Sequence, residues 1–419
     1  MRLTLKERFQ EQVDGALRDP WGAGPVALAV SGGGDSTALM HLAAQTIDPE
    51  RLHVLTVDHG LRDVAGEIEL VAKQAGELGL RHEVLTWVWN GTGNLQAEAR
   101  IGRWAAIETY CASLDGEVCC MTGHTREDQA ETVLMRLARG SGVAGLAGMQ
   151  PYGAAPDGLR IFRPLLDETR AELREWLTGG GISWSDDPSN EDPRFDRVRA
   201  RQMQAELAKL GLTTDRLAQT AAHMQAARRE LVQYSVMIAK EYASEYAGDV
   251  LFPVEWDDHR DVAQRLFRHA LHHVGGGAYP PRSDAALALW DAAQTGQGGT
   301  LHGCLVTVDG DALRVTREFA ATQASVLWAN RVCGKLWDNR WLVSDDTGGD
   351  SKGDLSIRAL GESLKDVPDW RDVGLPRASL MASPAVFDGE TLISAPVAGL
   401  QNGFSARIVA DFMSFLLSR

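Results

Sequence analysis

The stretch Ser31-Gly32-Gly33-Gly34-Asp35-Ser36 limits the fold of this chain more than any other feature of its sequence. It follows an apolar run at 26–30 that is typical of a buried strand, and it precedes a helical run at 37–44. Glycines allow the backbone to bend and to approach a ligand closely. The first turn of a helix adds N–H donors and the positive end of its dipole. The sequence therefore predicts a phosphate-binding loop between a strand and a helix, with an ordinary glycine turn as the alternative.

The acid inside this loop indicates how phosphate is bound. A Walker-type loop ends in Gly-Lys-Ser/Thr, whereas here Asp35 stands before Ser36 and no lysine is present. A carboxylate beside phosphates indicates a magnesium ion between them. We therefore expect the loop to bind phosphates, with Mg²⁺ held by Asp35.

The first half of the chain alternates predicted strands and helices. The strands are expected at 26–30, 52–57, 82–88 and 118–121, and the helices at 37–44, 64–78, 95–114 and 126–138. This alternation predicts an α/β fold with a doubly wound parallel sheet. In such sheets ligands lie beyond the carboxyl ends of the strands. The glycine loop, Asp58-His59 and His124 all follow predicted strands, which indicates one site at that edge.

The second half is less regular. It predicts helices at 168–177, 213–247, 258–274 and 283–293, a hairpin at 298–315, and short strands from about 337. We therefore expect three domains: an α/β catalytic domain at 1–210, a mostly helical central domain with a terminal hairpin at 211–327, and a small mixed α/β domain at 328–419. The tryptophans are expected in the cores of these domains and not as base-stacking platforms.

Charge and cysteine usage exclude several classes of protein. The formal net charge of −15 argues against a generally basic nucleic-acid binder, although local basic patches can still bind RNA. The five cysteines show no Cys-x-x-Cys pair and no spacing for zinc or an iron–sulfur cluster. No apolar run approaches the ~20 residues of a membrane helix, and the first residues contain no signal-peptide core. We expect a cytoplasmic protein with no membrane partner.

Two acids on one predicted helix are the next candidates for chemistry. Asp128 and Glu131 are three residues apart and therefore share a helix face, whereas Glu127 is expected to lie off that face in solvent. Opposite a phosphate loop, such a pair is suited to bind magnesium or an amine. A capping box with Thr125 is the structural alternative for Asp128. Asp58 either ligates magnesium or contacts the adenosine, or it is only part of a strand-ending turn. His124 is either a proton acceptor or only the residue before a helix.

These motifs together resemble the tRNA(Ile)-lysidine synthetase family of the ATP pyrophosphatase (PP-loop) superfamily. The resemblance extends over most of residues 24 to 205. It is carried by the glycine loop, residues 94–100 with Arg103, Gly123-His124, residues 128–132, 139–146, 163–166 and 187–190, and the arginines Arg197, Arg199 and Arg201.

The resemblance implies a reaction. ATP would adenylate the 2-oxo group of the wobble cytidine in tRNA(Ile) with a CAU anticodon, and the ε-amine of free L-lysine would then displace AMP to form lysidine. Pyrophosphate would leave in the first step. The C-terminal domain would bind tRNA. The resemblance leaves open whether the protein forms a homodimer.

The resemblance also assigns roles to residues. ATP contacts are expected from Ser31, Gly32, Gly33, Gly34, Asp35, Ser36, Asp58 and His59. The candidate catalytic residues are Asp35, Asp58, His124, Asp128 and Glu131, with Asp35 and Asp128 holding the metal. The arginines expected to bind tRNA or to lie in the active site are Arg62, Arg100, Arg103, Arg194, Arg197, Arg199 and Arg201, for which a solvated helix face is the alternative at 194–201.

Three other functions are compatible with a glycine loop of this type. A tRNA thiolase of the same superfamily would need catalytic cysteines, but Cys119-Cys120 falls within an apolar predicted strand. An amidotransferase-like ligase would need a glutaminase segment, and none is visible. A tRNA-binding scaffold with a degenerate ATP site is opposed by the intact glycine loop.

Overall fold

A computed structural model describes residues 3–17, 24–60, 64–89, 91–92, 95–155, 158–186, 196–256, 260–277, 279–328, 334–346 and 355–418. The chain divides into two compact units, Met1–Arg228 and Arg229–Arg419. The boundaries predicted near 210 and 328 lie inside these units and stay predictions about a finer division. Among the described residues, no helix is both long and apolar enough to cross a membrane.

The first unit alternates strands and helices. Its elements are α1 Leu5–Leu17, β1 Val26–Ala29, α2 Gly34–Ala44, β2 Leu52–Asp58, α3 Ala65–Glu77, β3 Arg81–Thr86, α4 Leu95–Ala112, β4 Cys119–Thr122, α5 Arg126–Leu137, α6 Val143–Leu146, β5 Tyr152–Ala154, β6 Arg160–Phe162, α7 Arg170–Gly179 and α8 Asp196–Lys209. Helix α9, Thr214–Tyr242, begins in this unit and continues past Arg228. The predicted strands and helices before residue 140 are all present, with ends shifted by a few residues.

One six-stranded sheet organises this unit. Its strand order is β3-β2-β1-β4-β6-β5, and every pairing is parallel except that of β5 with β6. Alternate residues of β1 and β2 pack into two different cores: Leu28 and Val54 into one, Ala27 and Leu55 into the other. Because apolar cores cover both faces, the predicted doubly wound α/β fold is confirmed.

The described part of the second unit is a mixed α/β assembly with three antiparallel sheets. Its elements are β7 Ser244–Tyr246, β8 Asp249–Pro253, α10 Arg260–Gly275, α11 Ser283–Gln294, β9 Gly299–Leu301, β10 Cys304–Asp309, β11 Ala312–Arg317, β12 Val326–Leu327, β13 Gly334–Trp337, β14 Trp341–Asp345, β15 Leu355–Ala359, α12 Arg377–Met381, β16 Pro384–Asp388, β17 Thr391–Ser394, β18 Phe404–Ile408 and α13 Phe412–Leu417. The sheet orders are β7-β8-β11-β10-β9, β12-β15-β16-β17 and β13-β14-β18.

Two predicted elements differ in extent from the structure. They are the helix at 213–247 and the hairpin at 298–315. The helix ends at Tyr242, because Ser244–Tyr246 forms strand β7 and pairs with β8. Strand β8 then pairs with β11 of the hairpin, so the hairpin is the centre of a five-stranded sheet. Short strands of this kind carry little periodicity of their own and depend on partners distant in sequence.

Candidate active site

The glycine loop connects the buried strand β1 to helix α2. Gly32 has a φ of 86°, which glycine adopts without strain. The Ser36 hydroxyl donates to the carbonyl of Gly33 at 3.0 Å and accepts the Ser31 N–H at 3.1 Å, so the loop is closed on itself. Gly33 is the N-cap residue of α2, and no side chain caps this helix. The first turn of α2 therefore presents donors suited to an anion.

Strand β4 ends directly beside this loop. A Cβ atom at Gly123 would lie 2.9 Å from the carbonyl oxygen of Asp35 and 3.1 Å from the amide nitrogen of Ser36. Since both neighbours are backbone atoms, only glycine permits this approach. Gly123 therefore lets the end of β4, and the helix α5 that follows, approach the start of α2.

Three carboxylates converge on one guanidinium, that of Arg170. Its Nε lies 3.2 Å from Asp35 Oδ2, its Nη2 lies 2.7 Å from Asp128 Oδ1, and its Nη1 lies 3.2 Å from Glu131 Oε1. The acid of the glycine loop and the two acids of α5 thus contact the same cation. Asp128 and Glu131 do share a helix face, as their spacing predicts.

Arg170 was not among the site residues predicted from the sequence. It is the first residue of α7, where the helix dipole disfavours a cation. Thr169 and Glu172 cap that helix as a capping box, and the Arg170 amide donates to Glu127 Oε2 at 3.0 Å. An arginine at the start of a helix, where its charge is unfavourable, was the sequence signal that could have identified Arg170 as a site residue. The prediction that Glu127 lies free in solvent was wrong, because its carboxylate accepts the first N–H of α7.

Asp128 and Glu131 are held differently. Asp128 Oδ2 accepts the N–H and the hydroxyl of Thr125, both at 2.8 Å, which leaves Oδ1 for Arg170. The capping-box interpretation and the site interpretation therefore both apply to Asp128. Glu131 is 0% exposed, and its Oε1 also accepts from Arg201 Nε at 2.9 Å. Its Oε2 is buried and has no hydrogen-bond partner among the described residues.

Burial controls the protonation of the groups beside the loop. It raises the pKa of Asp35 to about 6, although Arg170 opposes the shift. Burial also disfavours the charged form of Asp128, but Arg170 and the hydrogen bond from the Thr125 N–H outweigh it and lower the pKa of that carboxyl. Burial lowers the pKa of His124 to about 3, so its imidazole is neutral near pH 7. His124 Nδ1 lies 2.8 Å from the Thr122 hydroxyl.

Asp58 is the last residue of β2, and His59 follows it at the same edge of the sheet. Asp58 Oδ1 accepts the N–H of Gly60 at 2.8 Å, the geometry of a strand-ending turn. His59 packs edge-on against Trp87, with ring centroids 5.9 Å apart, and its Nδ1 has no partner among the described residues. Among the described residues, no hydrogen bond or ion pair joins Asp58 to the carboxylates around Arg170.

A group of arginines lies near His124, His59 and the carboxylates. Partial desolvation of its guanidinium and the neighbouring charges of Arg100 and Arg197 lower the pKa of Arg103, although the residue as a whole is exposed. Burial, together with Arg100, lowers the pKa of Arg163 to about 10. Arg163 is one of the residues that carry the resemblance, but it was not predicted as a site residue. It directly follows β6. Arg201 contacts Glu131 from α8, and Arg199 of the same helix is exposed. Arg62, Arg194, Asn94 and residues 187–190 lie outside the described residues.

The cysteines of the first unit do not form a reactive centre. Cys111, Cys119 and Cys120 are buried free thiols, and burial raises the pKa of each, to about 12 for Cys111. A buried thiol with a raised pKa is a poor nucleophile near neutral pH. The thiolase interpretation therefore lacks suitable cysteines among the described residues.

The fold and the site define a class. A PP-loop domain model, of the ATP_bind_3 type, matches residues 5–207. The first unit is thus a nucleotide-binding domain of the ATP pyrophosphatase kind, with its glycine loop beside the carboxylates that Arg170 joins.

Comparison with characterised proteins identifies the family. The chain is 44% identical to the tRNA(Ile)-lysidine synthase of Ruegeria pomeroyi, over 96% of this chain and 97% of the relative. It is 37% identical to the protein of that name from a Bradyrhizobium strain, over 70% and 90% of the two chains. It is 35% identical to the one from Anaplasma marginale, over 77% and 71%. The chain belongs to the tRNA(Ile)-lysidine synthase family.

Proposed function

We propose that this enzyme joins L-lysine to the wobble cytidine of tRNA(Ile) with a CAU anticodon, through an adenylated cytidine, and releases AMP and pyrophosphate. Membership of the family supports the activity. The observation that carries the mechanism is the meeting of Asp35, Asp128 and Glu131 at one guanidinium beside the glycine loop. That arrangement brings an anion-binding helix start together with a site for cations.

Residues of the loop are suited to hold the triphosphate of ATP. The uncapped first turn of α2 directs its donors and dipole toward an anion. Ser31 and Ser36 hold the loop closed, and Ser31 is itself exposed. Binding of the phosphates here, with Asp58 and His59 at the neighbouring strand end, would place the α-phosphorus at the carboxyl edge of the sheet.

The donors in this site fit magnesium. The Asp35 and Asp128 carboxylates approach one cationic group at 3.2 and 2.7 Å. No group of three or more His, Cys, Asp or Glu suited to a metal occurs in the described part of the chain. Mg²⁺ in proteins is commonly bound by one or two carboxylates together with phosphate oxygens of the substrate. When bound, the ion would neutralise charge on the departing pyrophosphate.

The lysine amine requires an anionic site of its own. Glu131 Oε2 is a buried acceptor without a partner among the described residues, and Asp128 lies on the same helix face. We place the ε-ammonium near this pair, where its charge replaces part of that supplied by Arg170. The nucleophile must then lose a proton. Neutral His124 and the carboxylates are the available acceptors.

Binding of tRNA is expected to use local positive charge. Arg100, Arg103, Arg197 and Arg199 lie on α4 and α8 of the first unit, although the chain carries a net charge of −15. Contacts to phosphate would fix the anticodon loop in register. A cytoplasmic location follows from this substrate, and a homodimer stays a prediction.

The assay that tests the function measures radiolabelled lysine incorporation into tRNA transcripts with and without a CAU anticodon. Incorporation should depend on ATP and on the CAU anticodon, with AMP and pyrophosphate as the products. ADP and phosphate as the tRNA-dependent products would overturn the proposed mechanism. Sulfur transfer instead of lysine incorporation would favour the thiolase alternative.

A further inference from the structure

One exposed tryptophan distinguishes the surface beside the candidate site. Of the twelve tryptophans in the chain, Trp89 is the most exposed among those that the structure describes, at 37%. This corrects the expectation that the tryptophans lie in the cores. Exposing a large aromatic surface forgoes the free energy of its burial, so such a group often marks a binding surface.

Trp89 is held in place and not left to rotate freely. Its Nε1 donates to the carbonyl oxygen of Thr92 at 2.9 Å, which fixes the polar edge of the indole. A ring fixed in this way loses little conformational freedom when a planar group stacks on it.

Further exposed apolar side chains belong to the segment after β3 and to α4. Val88 is 79% exposed, and Ile101 of α4 is 56% exposed. The segment after β3 lies against α4 at Gly102, where an added Cβ atom would come within 1.9 Å of Trp87 Nε1. Gly102 is therefore required for this contact, and its two neighbours, Ile101 and Arg103, are both exposed.

Positive charge accompanies the apolar surface. Arg100 and Arg103 are exposed residues of α4, and each lowers the pKa of a neighbouring basic group. Arg103 has no carboxylate at ion-pair distance among the described residues. Exposed aromatic and aliphatic groups beside arginines are the chemistry that recognises single-stranded nucleic acid, because bases stack while arginines contact phosphate or stack themselves.

This surface is continuous with the candidate active site. The Trp87 amide donates to the Asp58 carbonyl at 2.9 Å, and its ring packs against His59. Arg103 in turn influences the pKa of His59. The segment that carries Trp89 is therefore attached to the strand end at which we place ATP.

We infer that Val88, Trp89 and Ile101, with Arg100 and Arg103, form a stacking platform for unpaired bases of the anticodon loop. This inference rests on the proposed function, since it names how that site holds the single-stranded part of its RNA. Stacking on Trp89 would keep a base of the loop extruded near the adenylation site. The flat ring accepts any base, so the platform contributes affinity and placement while the anticodon sequence is selected elsewhere.

The test compares Trp89→Ala, Trp89→Phe and the control Tyr279→Ala, which removes a 79%-exposed aromatic from the second unit. Binding of a CAU anticodon stem-loop RNA and of a fully paired RNA duplex is measured by fluorescence anisotropy. Trp89→Ala should weaken stem-loop binding roughly 10-fold and leave duplex binding unchanged. Trp89→Phe should restore most of the loss, and Tyr279→Ala should have no effect.

Single-turnover lysidine formation gives the second readout. Trp89→Ala should raise the half-saturating tRNA concentration more than it lowers the saturated rate, with ATP binding unchanged. Equal stem-loop binding by wild type and Trp89→Ala would overturn the platform. Loss of self-association in Trp89→Ala, seen by sedimentation without a change in RNA binding, would assign the surface to a second copy of the chain and would also overturn it.

These results separate the platform from the proposed reaction. If wild type forms lysidine and the variant binds RNA normally, the platform is wrong and the function stands. If wild type forms no lysidine but Trp89→Ala still weakens stem-loop binding, the function is wrong and the platform stands. Wild-type protein that binds no RNA would reject both.

Discussion

Arg170 shows how one side chain sets the electrostatics of the candidate site. Its planar guanidinium offers several donors in fixed directions, and three different carboxylates use them. Without that charge, Asp35, Asp128 and Glu131 would be like charges at close range in a partly buried setting. Arg170 is thus a positioning residue that keeps the loop acid and the two helix acids together.

Substituting Arg170 tests whether geometry or charge alone is needed. Lysine keeps the charge but presents a single compact ammonium, so Arg170→Lys should lower the saturated single-turnover rate about 10-fold and Arg170→Gln by a further order of magnitude. The half-saturating tRNA concentration should change little in either variant. Arg174→Gln is the control, because Arg174 lies on the same helix with an exposed ion pair to Asp186. A wild-type rate for Arg170→Lys would mean that only the charge matters.

Glu131 gives a second prediction at this scale. Glu131→Gln removes the negative charge that Arg170 and Arg201 both contact. The rate of the lysine transfer step should fall at least ~10-fold. Glu175→Gln on α7 is the control, since Glu175 is exposed, whereas Glu127 is unsuitable because it caps that helix. Circular dichroism must show both variants folded. Identical rates for the two would make the buried glutamate a purely structural group.

The raised pKa of Asp35 predicts opposite effects on stability and activity. An acid whose pKa rises to about 6 on folding destabilises the protein as pH increases through that range, and the full penalty is present above it. Asp35→Asn should therefore raise the melting temperature at pH 8, with a gain that shrinks toward pH 4, while adenylation is nearly abolished. Thermal denaturation at both pH values and AMP release measure the two effects. A gain in melting temperature that is independent of pH would contradict this account.

At the scale of elements, the site depends on how closely β4 approaches the start of α2. Gly123→Ala places a methyl group 2.9 Å from a backbone oxygen, and neither element can move without disturbing the parallel sheet. We expect a loss of stability of ~2 kcal/mol and weaker ATP binding, because overpacking at a rigid contact strains both partners.

The matched control is Gly76→Ala in α3, where nothing lies within 4 Å of the added Cβ atom. This change should be neutral or should stabilise the helix by up to about 1 kcal/mol. Denaturant unfolding and a fluorescent-nucleotide titration measure the two effects. Comparable behaviour of the two alanine variants would show that the β4–α2 approach is adaptable.

At the scale of the whole molecule, residues 229–419 form one compact unit whose last helix packs near its beginning. Phe412 and Leu416 of α13 lie in the same core as Phe252 and Trp290. Asp249 accepts from Arg314 at 2.8 Å and from Ser379 at 2.6 Å, which joins distant parts of the sequence. Removing residues 330–419 would therefore open this core.

A sharper truncation removes the whole second unit. We expect the fragment 1–228 to fold and to bind ATP, but with a half-saturating tRNA concentration raised at least ~10-fold in single-turnover lysidine formation. The fragment 1–329 should instead aggregate or bind a dye that reports exposed apolar surface. An unchanged tRNA requirement in 1–228 would show that the second unit does not bind RNA. A well-folded 1–329 would support a separate C-terminal domain.

The sequence by itself determined the architecture of the first unit and predicted the edge of the sheet at which the candidate site lies. The alternation of apolar strands and amphipathic helices is a local property, and the carboxyl ends of parallel strands meet at one edge whatever the details of packing. The pairing of Asp128 with Glu131 likewise needs only helical spacing. Only the tertiary structure decided which cation these acids share, because Arg170 lies 35 residues or more from each of them in the chain.

The same reason explains the other results that the sequence did not predict. The pairing of β8 with β11 and the cap that Glu127 gives to α7 both depend on contacts between segments distant in sequence. Periodicity and motif spacing report which face of an element is apolar, but they do not report which neighbour covers it. Whether a tryptophan is buried or exposed is therefore decided when the elements pack, and that step lies beyond what local patterns encode.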